Sequence, residues 1–409
     1  MDLFKREKYL RKIRGFYDAD DLIKVITGVR RCGKSCLMQT IAEEIQQKGV
    51  PETNIIYIDL DKRGNKSIKE ADQLEMLIEA KGQTSGMKYL FIDEIQNVKG
   101  FEEVLNGFRT EGNYSIFITG SNSYLLSSEL VTKLTGRYLE FEIFTLSFEE
   151  YEQMKLFFNK EINTNTSIEL ADYILEGGFP RTITISDLKD KRTYTENVVK
   201  EIFNKDIRYR VKIKDKASFE SVRNFIINNF GATISIKSLY EALKNFGLNI
   251  GRPTVAKYIK ALVDAKVLYE CNRFDLKSKR AIAGEKKYYL SDLSFYFALN
   301  TDNRINYGPV LENITYLYAR SFDYSVSVGR IGKLECDFIL RDKELNYSYV
   351  QVAYTIALSQ ETEDREFRVL EAIRDNYNKY VITTDYLLQK RNGIKHINLM
   401  EFFKSESQF

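Results

Sequence analysis

The chain has 409 residues, which is long enough for two to four domains with separate cores. Hydrophobic residues make up 44% of it and only 4 residues are proline, so a largely disordered chain is excluded. Lys and Arg number 61 against 58 Asp and Glu, so the total charge neither indicates nor excludes a polyanionic partner.

Cysteine and histidine usage argues against two classes of site. The four cysteines, at positions 32, 36, 271 and 336, form no C-x-x-C pair, and His396 is the single histidine. A zinc site cannot be assembled from this set. The lone histidine disfavours a serine–histidine triad, and we expect His396 to be an ordinary surface or packing residue. No apolar run approaches the ~20 residues of a membrane span, and the first residues are not typical of a signal peptide. We therefore expect a cytoplasmic protein without a membrane partner.

The first motif is a glycine-rich loop between a strand and a helix. Residues 22–26 are mostly apolar, G-V-R-R-C-G-K-S follows at 28–35, and apolar residues then recur at helical spacing. The glycines let backbone N–H groups turn toward a phosphate, Lys34 reaches the β- and γ-phosphates, and Ser35 ligates Mg²⁺. The predicted nucleotide-binding residues are Gly28, Arg30, Arg31, Cys32, Gly33, Lys34, Ser35 and Cys36.

An acidic pair ends the next buried segment. Residues 89–92 form a continuous apolar run typical of a parallel strand, and Asp93 and Glu94 follow it. Open α/β sheets bind ligands at such strand ends. We expect Asp93 to hold Mg²⁺ through water and Glu94 to act as general base toward the attacking water. Without the upstream loop, such a pair would be an ordinary helix cap.

Two further apolar patterns, at residues 54–59 and 115–119, alternate with helical stretches and predict a parallel sheet. Beyond the second of them, Ser121 or Asn122 is expected to orient the water or to contact the γ-phosphate. The alternative is that both are turn residues.

These motifs, in this order, resemble those of AAA-type P-loop ATPases of bacteria and archaea whose ATPase module precedes a domain of uncharacterised function. L-T-G-R at 134–137, L-S-F-E-E-Y at 146–151 and G-G-F-P at 177–180 carry the resemblance further. It implies ATP and Mg²⁺ as cofactors, slow ATP hydrolysis and a switch-like role.

Within that resemblance, Arg137 is the candidate for neutralising charge near the γ-phosphate, either in its own chain or from a neighbouring subunit of an oligomer. The alternative is a surface arginine in a turn. Residues 177–180 are either a lid turn near the nucleotide or a plain helix end.

The middle of the chain resembles a winged-helix domain with a basic wing. Helices are predicted at 219–229, at 236–243 and from Pro253 onward, and a hairpin follows with strands at 267–273 and 286–290. Residues 189–287 carry a net charge of +12, which leaves −9 for the remainder of a +3 chain. The pattern is compatible with DNA contact and equally with a structural or protein-docking role. The candidate phosphate contacts are Arg252, Lys257, Lys260, Lys277, Lys279 and Arg280.

The last hundred residues resemble the restriction-endonuclease-like PD-(D/E)XK fold in the order of their predicted helices and strands. The resemblance places Glu312, Asp337 and Gln351 at metal-binding positions and Ala353 where that family has a lysine. Glutamine in place of a carboxylate, together with the missing lysine, predicts a non-catalytic binding relic rather than a nuclease.

The predicted fold class is therefore α/β. We expect a P-loop parallel sheet in residues 1–145, a helical lid or linker in 146–216, a winged helix in 217–290 and a nuclease-like domain in 291–409. The expected function is ATP hydrolysis as a conformational switch, read out by the later domains. The alternatives are a nucleotide-regulated DNA-binding protein with vestigial hydrolysis and, third, a Mg²⁺-dependent nuclease.

Overall fold

The structure is a computed structural model that describes residues 3–120, 134, 136–208, 211–278, 280–300 and 304–409. The chain divides into two compact units, Met1–Ile143 and Phe144–Phe409. Three predicted site residues, Ser121, Asn122 and Lys279, lie outside the described residues. Among the helices that are described, none is long and apolar enough to cross a membrane.

The first unit contains a five-stranded sheet in which every pair of neighbours is parallel. Its strands are β1 (Ile23–Thr27), β2 (Ile55–Asp59), β3 (Lys88–Asp93), β4 (Tyr114–Thr119) and β5 (Tyr138–Glu142). Its described helices are α1 (Glu7–Ile13), α2 (Lys34–Gln47), α3 (Ala71–Lys81) and α4 (Phe101–Glu111). The strand order is β2-β3-β4-β1-β5. The predicted α/β parallel sheet is confirmed.

The three central strands are buried because helices cover both faces of a parallel sheet. Every residue of β1 and β4 is buried, and Phe91 of β3 stacks on Phe117 of β4 with ring centroids 4.7 Å apart. In the register of the sheet, Ile118 lies beside both Val25 and Ile92. The carboxyl ends of β1, β3 and β4 therefore meet at one edge, where the glycine-rich loop begins.

The second unit combines helices with one mixed sheet, in which nine strands are described. These strands are β6 (Thr233–Ser235), β7 (Leu268–Asp275), β8 (Arg280–Leu290), β9 (Ser325–Ile331), β10 (Leu334–Arg341), β11 (Tyr347–Val352), β12 (Asn378–Thr383), β13 (Lys390–Arg391) and β14 (Ile394–Asn398). Their order in the sheet is β13-β14-β12-β11-β10-β9-β7-β8-β6. Its described helices are α5 (Phe148–Phe157), α6 (Thr166–Glu176), α7 (Leu188–Glu201), α8 (Lys216–Asn228), α9 (Ile236–Asn245), α10 (Arg252–Asp264), α11 (Ser294–Leu299), α12 (Tyr307–Ser321), α13 (Gln360–Glu371) and α14 (Leu399–Lys404).

The middle segment has the elements that the sequence predicts, in the predicted order. Helices α8, α9 and α10 precede the hairpin of β7 and β8. The Ser235 side chain accepts a hydrogen bond from the Ser238 N–H and so caps α9, and Pro253 lies in the first turn of α10.

The hairpin is not a separate sheet. Strand β7 pairs in parallel with β9, with Arg273 beside Val328. The expected boundary at residue 290 therefore lies inside a continuous sheet, and the division of residues 144–409 into three parts stays a prediction about subdomains. The alternation of apolar and polar residues predicts the two strands of the hairpin, because these strands are close together in the sequence. It carries no information on a partner strand far along the chain.

The G-G-F-P stretch at residues 177–180 contacts two other segments of the second unit. Gly177 ends α6 with a φ of +78°, a conformation that favours glycine. The Gly178 N–H donates to Asp292 at 2.8 Å, and the Gly178 carbonyl accepts from the Leu146 N–H at 2.7 Å. A Cβ at Gly178 would lie 2.5 Å from the Leu146 carbonyl oxygen, so the close approach requires glycine. Gly177 thus has the helix-ending role that was one of the two expectations.

Candidate nucleotide-binding site

The glycine-rich loop connects β1 to α2 through a backbone that only a few residue types adopt. Gly28 and Gly33 have φ values of +148° and +107°. A Cβ at Gly28 would lie 2.3 Å from the Ile143 carbonyl oxygen and 2.7 Å from the Cys32 Sγ. Glycine at this position therefore allows the loop to fold tightly against the strand β5 side of the sheet.

Helix α2 begins at Lys34 and directs its N-terminus into the loop. Among the described residues, no side chain caps this N-terminus, and its first turn carries no acidic residue. The N–H groups of the first turn and the positive end of the helix dipole suit an anion. The buried Lys34 ammonium donates to the carbonyls of Gly28 at 3.0 Å and Val29 at 3.2 Å, so a positive charge lies within the same loop.

The other predicted loop residues take different environments. Arg30 is half-buried and Arg31 is exposed with a φ of +70°. Cys32 is fully buried, and burial raises the pKa of its thiol, so the thiol is neutral near neutral pH. Cys36 is exposed. The sequence did not reveal Arg6, which is buried and donates to the Cys32 carbonyl at 3.1 Å.

The acidic pair lies at the same edge of the sheet as the loop. The buried Asp93 carboxylate accepts a hydrogen bond from the Thr119 hydroxyl. Burial raises the pKa of Asp93 above its ordinary value, and the nearby Ser35 and Thr119 hydroxyls oppose the rise because they favour the charged form. The serine of α2 and the aspartate at the end of β3 thus lie near each other, although they come from different elements.

Glu94 follows Asp93 in a left-handed backbone conformation, with a φ of +59°. Its N–H donates to the Thr119 hydroxyl at 3.1 Å, and its carboxylate accepts from the Gln96 side-chain amide. A non-glycine residue with positive φ persists only where its surroundings hold it, and such residues cluster at functional sites. Here Thr119 and Gln96 hold the two ends of Glu94.

Thr119 is a site residue that the sequence reading missed. It is the last residue of β4, it is fully buried, and its hydroxyl touches both acids of the pair. The sequence prediction had the polar contact two or three residues later, at Ser121 or Asn122. A hydroxyl that ends a buried strand beside an acidic strand end is the signal that could have identified it.

Two family models match separate parts of the chain. A model described as an AAA domain matches residues 20–152, which contain the loop and all five strands of the first sheet. A model described as a domain of unknown function, DUF8612, matches residues 167–305.

Two relatives match almost the whole chain. An uncharacterised protein of Haemophilus influenzae is 33% identical over 407 residues, covering 98% of each chain. An uncharacterised protein of Methanocaldococcus jannaschii is 31% identical over 400 residues, covering 94% of this chain and 87% of the relative. The chain belongs to the AAA-domain family of P-loop ATPases. Its fold is also similar to that of the Walker-type ATPase of Pyrococcus abyssi, with a TM-score of 0.51, 18% identity and coverage of 73% of this chain and 96% of that one.

Arg137 lies far from the nucleotide loop of its own AAA domain. Its carbonyl accepts from the Ile23 N–H at 2.9 Å, at the start of β1, and its guanidinium donates to Asn106 at 3.0 Å. Strands β1 and β5 are parallel, so the loop after Thr27 is at the opposite end, roughly 13 Å along the strand. A catalytic role within its own chain is therefore wrong. A role toward a neighbouring subunit stays a prediction.

The basic residues proposed to contact DNA lie on the surface of the second unit. Arg252 pairs with Glu241 at 2.9 Å, Lys260 pairs with Asp264 at 3.1 Å, and Lys257 donates to the Lys212 carbonyl at 3.2 Å. Such exposed pairs contribute ~0–1 kcal/mol each, so they exchange readily for phosphate contacts. The remaining described candidates, Lys277 and Arg280, are exposed on the hairpin.

The three residues at nuclease-like positions come together in the second unit. The Asp337 N–H donates to the Gln351 side-chain oxygen at 3.3 Å, and the Glu312 and Asp337 carboxylates are close enough to interact electrostatically. A fourth residue, Lys287 of β8, joins them with its ammonium 2.9 Å from Glu312. The sequence reading did not assign Lys287 to this cluster because the residue comes from the hairpin.

Proposed function

We propose that the AAA domain binds ATP with Mg²⁺ and hydrolyses the γ-phosphate bond, and that this cycle works as a conformational switch. One observation carries the proposal. The loop with the buried Lys34 ammonium, the N-terminus of α2 and the strand-end Asp93 lie at the same edge of the sheet, and Ser35 is in the first turn of α2. In P-loop NTPases a loop serine and a strand-end aspartate hold Mg²⁺, so these residue types fit that ion.

Different residues of the chain bind the phosphate oxygens and activate the water molecule at this site. The N–H groups of the loop and the Lys34 ammonium bind and neutralise phosphate oxygens. Glu94 orients a water molecule and takes its proton, while Thr119 positions both acids through its single hydroxyl. When bound, Mg²⁺ supplies further charge neutralisation on the phosphate oxygens.

Residues outside the nucleotide loop carry the proposed switch and its transmission to a partner. Residues 146–216 act as a lid or linker, and the winged-helix and nuclease-like parts of the second unit transmit the nucleotide state to a DNA or protein partner. Ser121 and Asn122 orient the attacking water. In an oligomer, Arg137 contributes its charge to the γ-phosphate of a neighbouring subunit.

Phosphate release from ATP by the purified full chain tests the proposed activity. We expect release in the presence of Mg²⁺ and its loss when EDTA removes the ion, because Ser35 and Asp93 are hard oxygen ligands suited to this cation. A preparation with intact secondary structure that releases no phosphate above the blank, at any Mg²⁺ concentration, contradicts the proposal.

A second candidate function is nucleotide-regulated DNA binding with vestigial hydrolysis. The observation that favours it is the concentration of positive charge in residues 189–287, with Arg252, Lys257 and Lys260 all exposed on α10. Exposed lysine and arginine on one helix are typical of phosphate contacts, which give affinity without sequence specificity.

Fluorescence anisotropy with a labelled DNA duplex tests this candidate. Three phosphate contacts predict that affinity falls roughly 40-fold between about 50 and 200 mM salt. The paired change of Lys257→Ala with Lys260→Ala is expected to weaken binding and reduce the salt dependence, whereas the exposed Lys343→Ala serves as control. Absence of binding at the lower salt concentration, with and without ATP, removes this candidate.

A further inference from the structure

Lys287 is a buried lysine surrounded by carboxylates. Its side chain is 6% exposed, and its ammonium lies 2.9 Å from Glu312 of α12 and 3.1 Å from Glu335 of β10. The Tyr289 hydroxyl donates to the same Glu312 oxygen at 3.0 Å. A buried charge persists only when it is paired and hydrogen-bonded, and Lys287 satisfies both conditions.

The oxygens that the nuclease resemblance assigns to Mg²⁺ are already used as hydrogen-bond acceptors. One Asp337 oxygen accepts from the Val352 N–H at 2.8 Å. The Gln351 side-chain oxygen accepts from the Asp337 N–H at 3.3 Å, and its amide nitrogen donates to Glu366 at 3.0 Å. A divalent cation at these oxygens would have to compete with the hydrogen bonds that they already accept.

Two cations of the chain lie against the carboxylates of the cluster. The Lys287 ammonium pairs with both Glu312 and Glu335. The Arg273 guanidinium pairs with Glu335 at 2.7 Å. In the described ranges of the chain, no group of three or more His, Cys, Asp or Glu residues is arranged to hold a metal ion.

We propose that the Lys287 ammonium is the built-in counter-ion of the Glu312–Glu335–Asp337 cluster, which makes this nuclease-like centre a metal-free ionic crosslink. The crosslink joins β8 of the hairpin to α12 and β10 of the terminal part of the same unit. Ala353, at the position where the nuclease family has its lysine, brings no second ammonium to the cluster. Removal of the Lys287 charge leaves buried carboxylates in excess, and an added divalent cation can then take its place.

Thermal unfolding of the full chain, in EDTA and in millimolar Mn²⁺, tests this crosslink. The difference in melting temperature between the two buffers is expected to be smaller for the wild type, whose cluster already contains a cation, than for Lys287→Met. Lys287→Met is expected to melt roughly 5–10 °C lower in EDTA, because it leaves buried carboxylates without a partner. Mn²⁺ should recover several degrees of that loss, because ligands that bind only the folded state stabilise it.

Matched variants separate the counter-ion role from general packing. Lys286→Met changes the neighbouring residue of β8, whose half-buried side chain pairs with Glu270, outside the cluster. It is expected to show neither the loss nor the Mn²⁺ response. Lys287→Met combined with Glu312→Gln removes one charge of each sign. This double variant is expected to melt closer to the wild type than Lys287→Met does and to respond less to Mn²⁺.

Three results would overturn the proposal. The first is a wild-type chain that Mn²⁺ stabilises as much as it stabilises Lys287→Met. The second is cleavage of plasmid DNA by the wild type in Mg²⁺ or Mn²⁺ that Asp337→Asn abolishes. The third is a double variant no more stable than Lys287→Met. If Lys287→Met alone does not fold, a folded double variant supports the counter-ion role and an unfolded one contradicts it.

Discussion

Glu94→Gln is expected to bind ATP with nearly wild-type affinity and to hydrolyse it at least ~100-fold more slowly. Glutamine keeps the size of the side chain and a hydrogen-bond acceptor for Gln96, but it cannot take a proton from water. The left-handed backbone and the hydrogen bond from the Glu94 N–H to Thr119 do not depend on the carboxylate, so the loop geometry is retained. Parallel measurement of ATP binding and phosphate release checks both parts.

Glu75→Gln is the control for this substitution. Glu75 is an exposed residue of α3 in the same unit, so its change removes one negative charge without touching the site. We expect wild-type turnover from it. Unchanged turnover in Glu94→Gln, measured beside this control, would remove Glu94 from the role of general base.

Lys34→Ala is expected to remove ATP binding at micromolar ATP. The Lys34 ammonium is buried in the loop, 3.0 and 3.2 Å from two loop carbonyls, and in the proposed function it is the charge that binds the phosphates. Hydrogen bonds to charged groups contribute ~1.5–3 kcal/mol, so the loss of this group predicts an affinity lower by roughly 10- to 100-fold. Equilibrium binding of a labelled ATP analogue measures it directly.

Lys48→Ala is the matched control for the loop lysine. Lys48 is exposed and lies at the other end of the same helix, with its ammonium over the Tyr17 ring. Wild-type ATP affinity is expected from it. A Lys34→Ala chain that is folded and still binds ATP as tightly as Lys48→Ala would show that the loop does not hold the phosphates.

Most of the candidate nucleotide site could be located from the sequence because its signals are local. A strand, a glycine-rich loop and a helix follow one another within residues 22–47, and the acidic pair directly follows a continuous apolar run. Parallel pairing then brings the strand ends together without further information. The role of Thr119 could not be predicted from the sequence. It depends on the parallel pairing of β4 with β3 and on the register of that pairing, which bring Thr119 next to Asp93.

Arg137 shows where local signals end. The residue precedes β5, a half-exposed edge strand whose Y-L-E-F-E sequence has no continuous apolar run and was not predicted. Only the pairing of β5 with β1 shows that Arg137 lies at the opposite end from the loop. The sequence of a turn that contains glycine and arginine does not indicate at which end of the strands the turn lies.

In the second unit, the individual helices and strands could be predicted, but the pairing of strands far apart in the sequence could not. The helices and strands of residues 216–290 and 307–383 follow the predicted order closely, because each has its own periodicity and caps. The pairing of β7 with β9, which joins the two regions in one sheet, leaves no periodic signal in the sequence. Lys287 could be assigned to the Glu312 cluster only after that pairing was known.

One experiment tests the central claim most directly. The chain is mixed with a limiting amount of ATP in Mg²⁺, and the nucleotide that stays bound is identified. An ATPase switch predicts that wild-type protein ends with ADP, that Glu94→Gln retains ATP, and that Lys34→Ala retains neither. Wild-type protein that still holds unchanged ATP after prolonged incubation, or Glu94→Gln that forms ADP as fast as the wild type, would contradict the account.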